Sequence, residues 1–317
     1  MLLNFALIFI GIALLVWSAD RFTDAASAIA RNFGVSPLIV GLTIVAMGSS
    51  APEIFVSVTA SLGNSPGLAI GNAIGSNIAN IALVLGVTAL ISPLEVDSNI
   101  LRREFPVLFA VGFVAGVAIS DLYLTLIDGI VLVAGMFVYL GWLIRLGLRS
   151  RVETDIMLEE MVEELPDQMS NKQATIWLII GLILLPVSSQ ILVNGAVGIA
   201  QQFGVSDFTI GLTIVALGTS LPELAASVAG VLKGEHELAI GNVIGSNIFN
   251  LLAVLGIVGL IRPAPILPSV LYTEYLLMMF LCFVMFIMAY GFKGPGRISR
   301  LEGGVLFAVY ISFLLMQ

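Results

Sequence analysis

Gly41-Leu-Thr-Ile-Val-Ala-Met-Gly-Ser-Ser-Ala-Pro-Glu53 recurs 170 residues later as Gly211-Leu-Thr-Ile-Val-Ala-Leu-Gly-Thr-Ser-Leu-Pro-Glu223. Each copy sets a glycine, two hydroxyl residues, a proline and a glutamate inside an apolar run long enough to cross a bilayer. An ionisable residue at that depth is costly and marks an ion or substrate path. Proline has no N–H and clashes with the carbonyl four residues back, so Pro52 and Pro222 are expected to break their helices at Gly48 and Gly218. Such a break frees carbonyl oxygens beside hydroxyls and a carboxylate, the ligand set of a hard cation.

Outward from the motifs the chain is apolar. Of its 317 residues, 59% are hydrophobic and 11% charged, where soluble domains carry about a quarter charged residues. Apolar segments fall at 2–30, 36–60, 69–91, 104–119, 125–147, 174–203, 207–231, 239–261, 270–291 and 300–316. At about 20 residues per crossing they predict an all-α integral membrane protein of ten transmembrane helices. The apolar N-terminus lacks a cationic region and reads as the first of these helices rather than a signal peptide. The net charge of −8 owes much to residues 153–167, which hold seven of the 21 acidic residues. Nothing is basic enough for nucleic acid, and Cys282, the single cysteine, excludes an internal disulfide or a cysteine-built metal site.

The two halves are a repeat. Residues 33–93 align with 203–263 without a gap, more than half of the positions being identical. Parity then sets the geometry: with five crossings per half, the second copy enters the membrane from the opposite side, so the repeats are inverted, as in many secondary transporters. The predicted organisation is a five-helix half (1–148), an acidic connector (149–173) and an inverted five-helix half (174–317). With the N-terminus outside, eleven of the 13 Lys and Arg residues fall on the inner side and only Arg262 lies in an outer loop, Arg21 being unassigned within the first segment. The basic bias thus places both termini outside the cell membrane and the connector in the cytoplasm.

In the second segment Ser49, Ser50, Glu53 and Ser57 share a helix face, as do Thr219, Ser220, Glu223 and Ser227 in the seventh. Serine and threonine often satisfy backbone groups in membrane helices, and proline can merely kink them. That bland account leaves unexplained two equivalent glutamates with no basic partner nearby except Arg21. The third and eighth segments carry Gly71-Asn-Ala-Ile-Gly-Ser-Asn-Ile-Ala-Asn80 and Gly241-Asn-Val-Ile-Gly-Ser-Asn-Ile-Phe-Asn250. Asn72, Ser76 and Asn80, like Asn242, Ser246 and Asn250, stack at four-residue intervals and read as neutral oxygen ligands. The Gly71/Gly75 and Gly241/Gly245 pairs read as close helix packing. Asp20 and Asp24, matched by Gln190 and Asn194 in the other half, read as a cytoplasmic mouth or helix end, and His236 as a solvated loop residue. Residues 153–167 read as an amphipathic surface helix with Leu158, Met161, Val162 and Leu165 on one face.

These paired motifs resemble the two alpha-repeats of the cation/calcium exchanger superfamily, most closely its prokaryotic YrbG-like sodium/calcium exchangers, over essentially the whole chain. The resemblance implies an antiporter of Na⁺ for Ca²⁺ in the inner membrane, with the second, third, seventh and eighth helices enclosing the cation sites. It assigns Glu53 and Glu223 as calcium-ligating carboxylates. It assigns Ser49, Ser50, Ser76, Thr219, Ser220 and Ser246 as sodium ligands, with backbone oxygens from Ala46 and Ala216. Asn80 would face the centre, and Asn250 stands where some relatives have Asp, leaving one charge fewer. An H⁺-driven antiporter on the same fold is the alternative reading. No catalytic residues, no resident cofactor and a functional monomer in the lipid bilayer are expected, and no enzyme arrangement is evident within the membrane.

Overall fold

The computed structural model describes residues 2–33, 46–96, 98–149, 169–233, 236–290 and 296–317. The start of the first motif (41–45) and the acidic run at 153–167 with its amphipathic face lie outside the described residues. Helix is found in each of the ten apolar segments. In the first half these are α1 (Leu2–Asn32), α2 (Ala46–Gly48), α3 (Ala51–Leu62), α4 (Pro66–Ala79), α5 (Gly86–Ile91), α6 (Ser98–Ala118) and α7 (Leu126–Arg149). The second half supplies α8 (Asn171–Phe203), α9 (Asp207–Ile210), α10 (Ala216–Thr219), α11 (Leu221–Lys233), α12 (His236–Phe249), α13 (Leu255–Ile261), α14 (Leu276–Ala289) and α15 (Arg300–Met316).

Seven stretches among the described residues are long and apolar enough to span a bilayer: Leu2–Ile29, Pro66–Ile91, Leu126–Arg145, Asn171–Phe203, Asp207–Leu232, Ala239–Ile261 and Val270–Ala289. The shorter α3 is also apolar, and α6 carries Arg102, Arg103 and Glu104 near its start. Polar caps set several helix ends. Ser170 and Gln173 form a capping box that opens α8, and Ser299 with Glu302 does the same for α15. Gly204, at φ +65°, closes α8 in the left-handed conformation that glycine adopts without strain.

Among the described residues, four π-helical turns interrupt the helices, at Asn80–Leu85, Gly211–Val215, Asn250–Val254 and Val270–Tyr275. The first and third begin at Asn80 and Asn250, which are equivalent in the repeat. The hydrophobic pattern did not announce them, because one extra residue per turn shifts a helix face without changing its composition.

Burial sorts the helices into centre and periphery. In the most apolar part of Pro66–Ile91, 83% of residues are buried, and in Ala239–Ile261 78%, against 28% in α1. A helix apolar on all sides belongs inside, so α4–α5 and α12–α13 form the middle of the molecule. Helices α1 and α8 lie antiparallel along one flank. A Cβ on Gly11 would meet the Leu192 backbone, one on Gly181 would meet Phe22, and Asn32 donates to Asn171 Oδ1 at 2.6 Å. In the first half, the packing role of the glycine pair is visible. A Cβ on Gly71 would lie 2.2 Å from the Phe208 carbonyl oxygen, and one on Gly75 2.3 Å from that of Leu212. Gly245 has no such neighbour among the described residues.

Among the described residues, two short antiparallel strand pairs tie the halves together. Strand β1 (Leu94–Val96) pairs with β4 (Gly296–Ile298), setting Glu95 opposite Arg297. Strand β2 (Tyr123–Leu124) pairs with β3 (Ala264–Pro265). The 21-residue α6 runs between β1 and β2, so the two pairs sit at opposite ends of the bundle, ~30 Å apart at 1.5 Å per residue.

Candidate functional site

Both helices break beside their prolines, the first at Gly48 as expected and the second at Thr219, one residue past the expected Gly218. Helix α2 ends at Gly48 and α3 restarts at Ala51; α10 ends at Thr219 and α11 restarts at Leu221. The residues between adopt the same conformation in both copies, Ser50 at φ −86°, ψ 5° and Ser220 at φ −84°, ψ 5°. This sparsely allowed bridge region lets the chain turn while the Ile54 and Leu224 N–H groups still reach the Ser50 and Ser220 carbonyls. Glu53 and Glu223 fall in the first turn of the restarted helices, where the helix dipole favours a negative charge. A helix broken beside a carboxylate and hydroxyl residues is the kind of arrangement found at ion sites in transporters.

Both carboxylates are fully buried. The buried charged residues among those described are Glu53, Glu104, Glu223 and Glu274, all acidic. Neighbouring helices hold the site in matched fashion. Asn72 Nδ2 donates to the Glu53 carbonyl and to Ser57 Oγ, both at 3.2 Å. Asn242 Nδ2 repeats this with the Glu223 carbonyl at 3.4 Å and Ser227 Oγ at 3.3 Å. These two asparagines anchor the backbone at each break, and so face the break rather than stand among its free oxygens.

The side-chain contacts within the site are less symmetric. Ser246 Oγ donates to Glu223 Oε1 at 3.3 Å, whereas its counterpart Ser76 Oγ lies 3.4 Å from Thr219 Oγ1. Thr219 also donates to Asn72 Oδ1 at 3.1 Å. Buried atoms with no protein partner cluster here: Ser49 Oγ, Ser50 Oγ, both Glu53 carboxylate oxygens, Glu223 Oε2, Ser220 Oγ, Asn80 Oδ1 and the Asn250 amide. Buried polar groups are ordinarily hydrogen-bonded, and nearly all of these are oxygens able to face a cation. Ala46 opens α2 and Ala216 opens α10, where the Ala216 carbonyl accepts from the Ser220 N–H at 3.0 Å and from Thr219 Oγ1 at 3.3 Å.

Other candidates lie elsewhere. Arg21 forms an ion pair with Asp24 at 3.7 Å and stacks 5.8 Å over the Trp177 ring, while Asp20 is exposed. Gln190 donates to Asn194 at 2.7 Å in an exposed position. His236 is corrected: it begins α12 three residues before the predicted helix start, half-buried, with Nδ1 enclosed. Sequence reasoning missed Asn77 and Asn247, which bridge the two central helices. It also missed the buried pair Glu104 and Glu274. Both pairs obey the 170-residue offset, and applying it to every polar residue would have found them.

Fold and site together define a polytopic helical membrane protein built around a buried acidic centre. The family model described as sodium/calcium exchanger protein matches residues 3–145 and 173–317. The chain is 48% identical over 313 residues to the putative antiporter CaxA of Alkalimonas amylolytica, covering 99% of this chain and 98% of that one. It is 43% identical over 318 residues to the inner membrane protein YrbG of Escherichia coli (strain K12), covering 99% and 97%. A solved structure of the sodium-calcium exchanger NCX_Mj, soaked with Na⁺ and Sr²⁺, superposes with a TM-score of 0.66 at 34% identity, covering 100% of this chain and 99% of that one. The chain belongs to the sodium/calcium exchanger family.

Proposed function

We propose that the protein exchanges Na⁺ for Ca²⁺ across the cell membrane by alternating access. The observation that carries this reading is the pair of fully buried glutamates, each at the restart of a broken helix and each amid unpartnered oxygens. Two carboxylates neutralise one Ca²⁺, and hydroxyl, amide and carbonyl oxygens make up the six to eight ligands it prefers. The proposed ligands are Glu53, Glu223, Ser49, Ser50, Ser76, Asn80, Thr219, Ser220, Ser246 and Asn250, with the Ala46 and Ala216 carbonyls. Several Na⁺ ions divide the same oxygens among smaller sites and exclude Ca²⁺ while they do. Sharing of ligands turns one binding site into an exchanger. All of these residues belong to one chain, in keeping with a functional monomer.

The architecture proposed is ten crossings in two inverted halves, 1–148 and 174–317, joined by a cytoplasmic connector. The strand pairs support it. Strands β1 and β3 are equivalent in the repeat, since 94 and 264 differ by 170. Yet β1 pairs at one end of the bundle and β3 at the other, as inversion requires.

The test is radiolabelled Ca²⁺ uptake by sodium-loaded proteoliposomes diluted into sodium-free buffer, with and without a proton ionophore. Uptake that needs the outward Na⁺ gradient and survives the ionophore is the expected result. Uptake driven by a pH gradient and abolished by the ionophore would replace Na⁺ with H⁺ as the coupling ion.

A further inference from the structure

Helices α4 and α12, each with the π turn that follows it, carry four asparagines, each at most 1% exposed: Asn77 and Asn80 from one half, Asn247 and Asn250 from the other. Asn80 Nδ2 donates to Asn247 Oδ1 at 3.2 Å, leaving Asn80 Oδ1 without a protein partner. Asn77 Nδ2 donates to the Asn247 carbonyl at 3.2 Å. The repeat relates Asn80–Asn247 to Asn250–Asn77, but the second bond is not made. Asn77 Oδ1 and both polar atoms of Asn250 are buried and unpartnered.

A carboxamide has two faces that differ in sign. Its oxygen coordinates a cation; its NH₂ repels one and bonds readily to a carboxylate. In a site with two glutamates, a free asparagine amide turns its NH₂ to the carboxylate and must be turned back before a cation binds. We infer that Asn247 is a positioning residue that holds Asn80 oxygen-first by accepting its Nδ2, and that Asn77 is the matching acceptor for Asn250. Asn247 Oδ1 gives the Asn80 NH₂ a partner away from the cation, so the ligand orientation leaves the Asn80 donor satisfied, while Asn247 Nδ2 is itself buried without a protein partner. Asn77 Oδ1 offers the same to Asn250, and the structure holds one clamp closed and the other apart. This inference rests on the cation-site reading above.

The experiment is Ca²⁺ titration by calorimetry of the purified, detergent-solubilised full chain, with thermal unfolding followed in parallel. An unsatisfied buried donor costs about 1–3 kcal/mol, so Asn247→Leu is expected to weaken Ca²⁺ binding about tenfold. Asn247→Ala, which also lacks the acceptor, carries the same expectation should the leucine variant not fold. The discriminating arm is the Asn80→Asp background. Aspartate presents oxygen whichever way it turns, so there Asn247→Leu or Asn247→Ala should change Ca²⁺ affinity less than twofold. Wild-type affinity in the Asn247 variants, or an equal loss in the Asn80→Asp background, would overturn the positioning role. Absence of Ca²⁺ binding by the wild-type chain would instead overturn the cation-site reading and this inference with it.

Discussion

Glu53 and Glu223 are ordinary carboxylates made unusual by place: each is fully buried, in a part of the molecule with no buried basic residue among those described. Replacing either with glutamine keeps shape and hydrogen-bonding capacity but, in the proposed site, removes half of the charge that would balance Ca²⁺. An uncompensated charge in a water-poor site costs several kcal/mol, so Glu53→Gln or Glu223→Gln should lower Ca²⁺ transport on the order of 100-fold or more. The protein should remain folded, because a neutral amide is easier to bury than a carboxylate. Proteoliposome flux and size-exclusion profiles of the two variants test this together, and normal transport by either would remove that residue from the site. The same charge count argues against potassium. Asn80 and Asn250 are both neutral, so K⁺ bound together with Ca²⁺ would set three positive charges against two carboxylates. Sodium-driven Ca²⁺ flux at clamped voltage is therefore expected to be equal with choline or K⁺ as the balancing cation. A flux that vanishes without K⁺ would require a third anionic group.

At the scale of elements, what was legible in the sequence was whatever alters composition or spacing. Pro52 and Pro222 announced the helix breaks, and apolar length announced the helices; the structure carries both. The π turns at Asn80 and Asn250 stayed hidden, as did the strand pairs, whose two or three residues sit in polar loops and find partners far away in sequence. The amide contacts of Asn77 and Asn247 were also unreadable, since they depend on where two helices cross. Glycines show the difference within one motif: Gly71 and Gly75 read as packing residues, and the reason lies in the carbonyls of Phe208 and Leu212 pressed against them. Gly71→Ala should thus destabilise the protein by about 1–3 kcal/mol through overpacking, while Gly245→Ala, with open space among the described residues, should be nearly neutral. Melting temperatures of the two variants in one detergent decide it, and equal shifts would refute the assigned contacts. The strand pairing has its own test. Paired antiparallel residues have Cα atoms about 4.5–5.5 Å apart, within the range a disulfide spans. Cysteines in place of Glu95 and Arg297 should cross-link on mild oxidation, with the buried Cys282 a bystander.

For the whole molecule the decisive property is direction: the proposed inverted repeat requires the two halves to cross the membrane in opposite senses. Two independent arguments meet here. The distribution of Lys and Arg predicts a cytoplasmic connector, and structural contacts state which loops share a side. Asn32, at the end of α1, bonds Asn171 at the start of α8, and Arg300 at the start of α15 bonds the Ile91 carbonyl at the end of α5. All four positions fall on the side that the charge argument calls inner. Asn64, in the turn between α3 and α4, falls on the other side by the same parity, with φ at 64° in a tight turn open to solvent. A cysteine at Asn64 should therefore react with a membrane-impermeant thiol reagent added to intact cells. One at Ser170, exposed just before α8, should react only after the membrane is opened. Both substitutions are best made in a Cys282→Ala background so that no other thiol reports. Reaction of both positions from outside would mean an even number of crossings between them, and the inverted repeat would fail. Reaction of Ser170→Cys alone from outside would keep the inversion but turn the molecule over, reversing which face loads Ca²⁺.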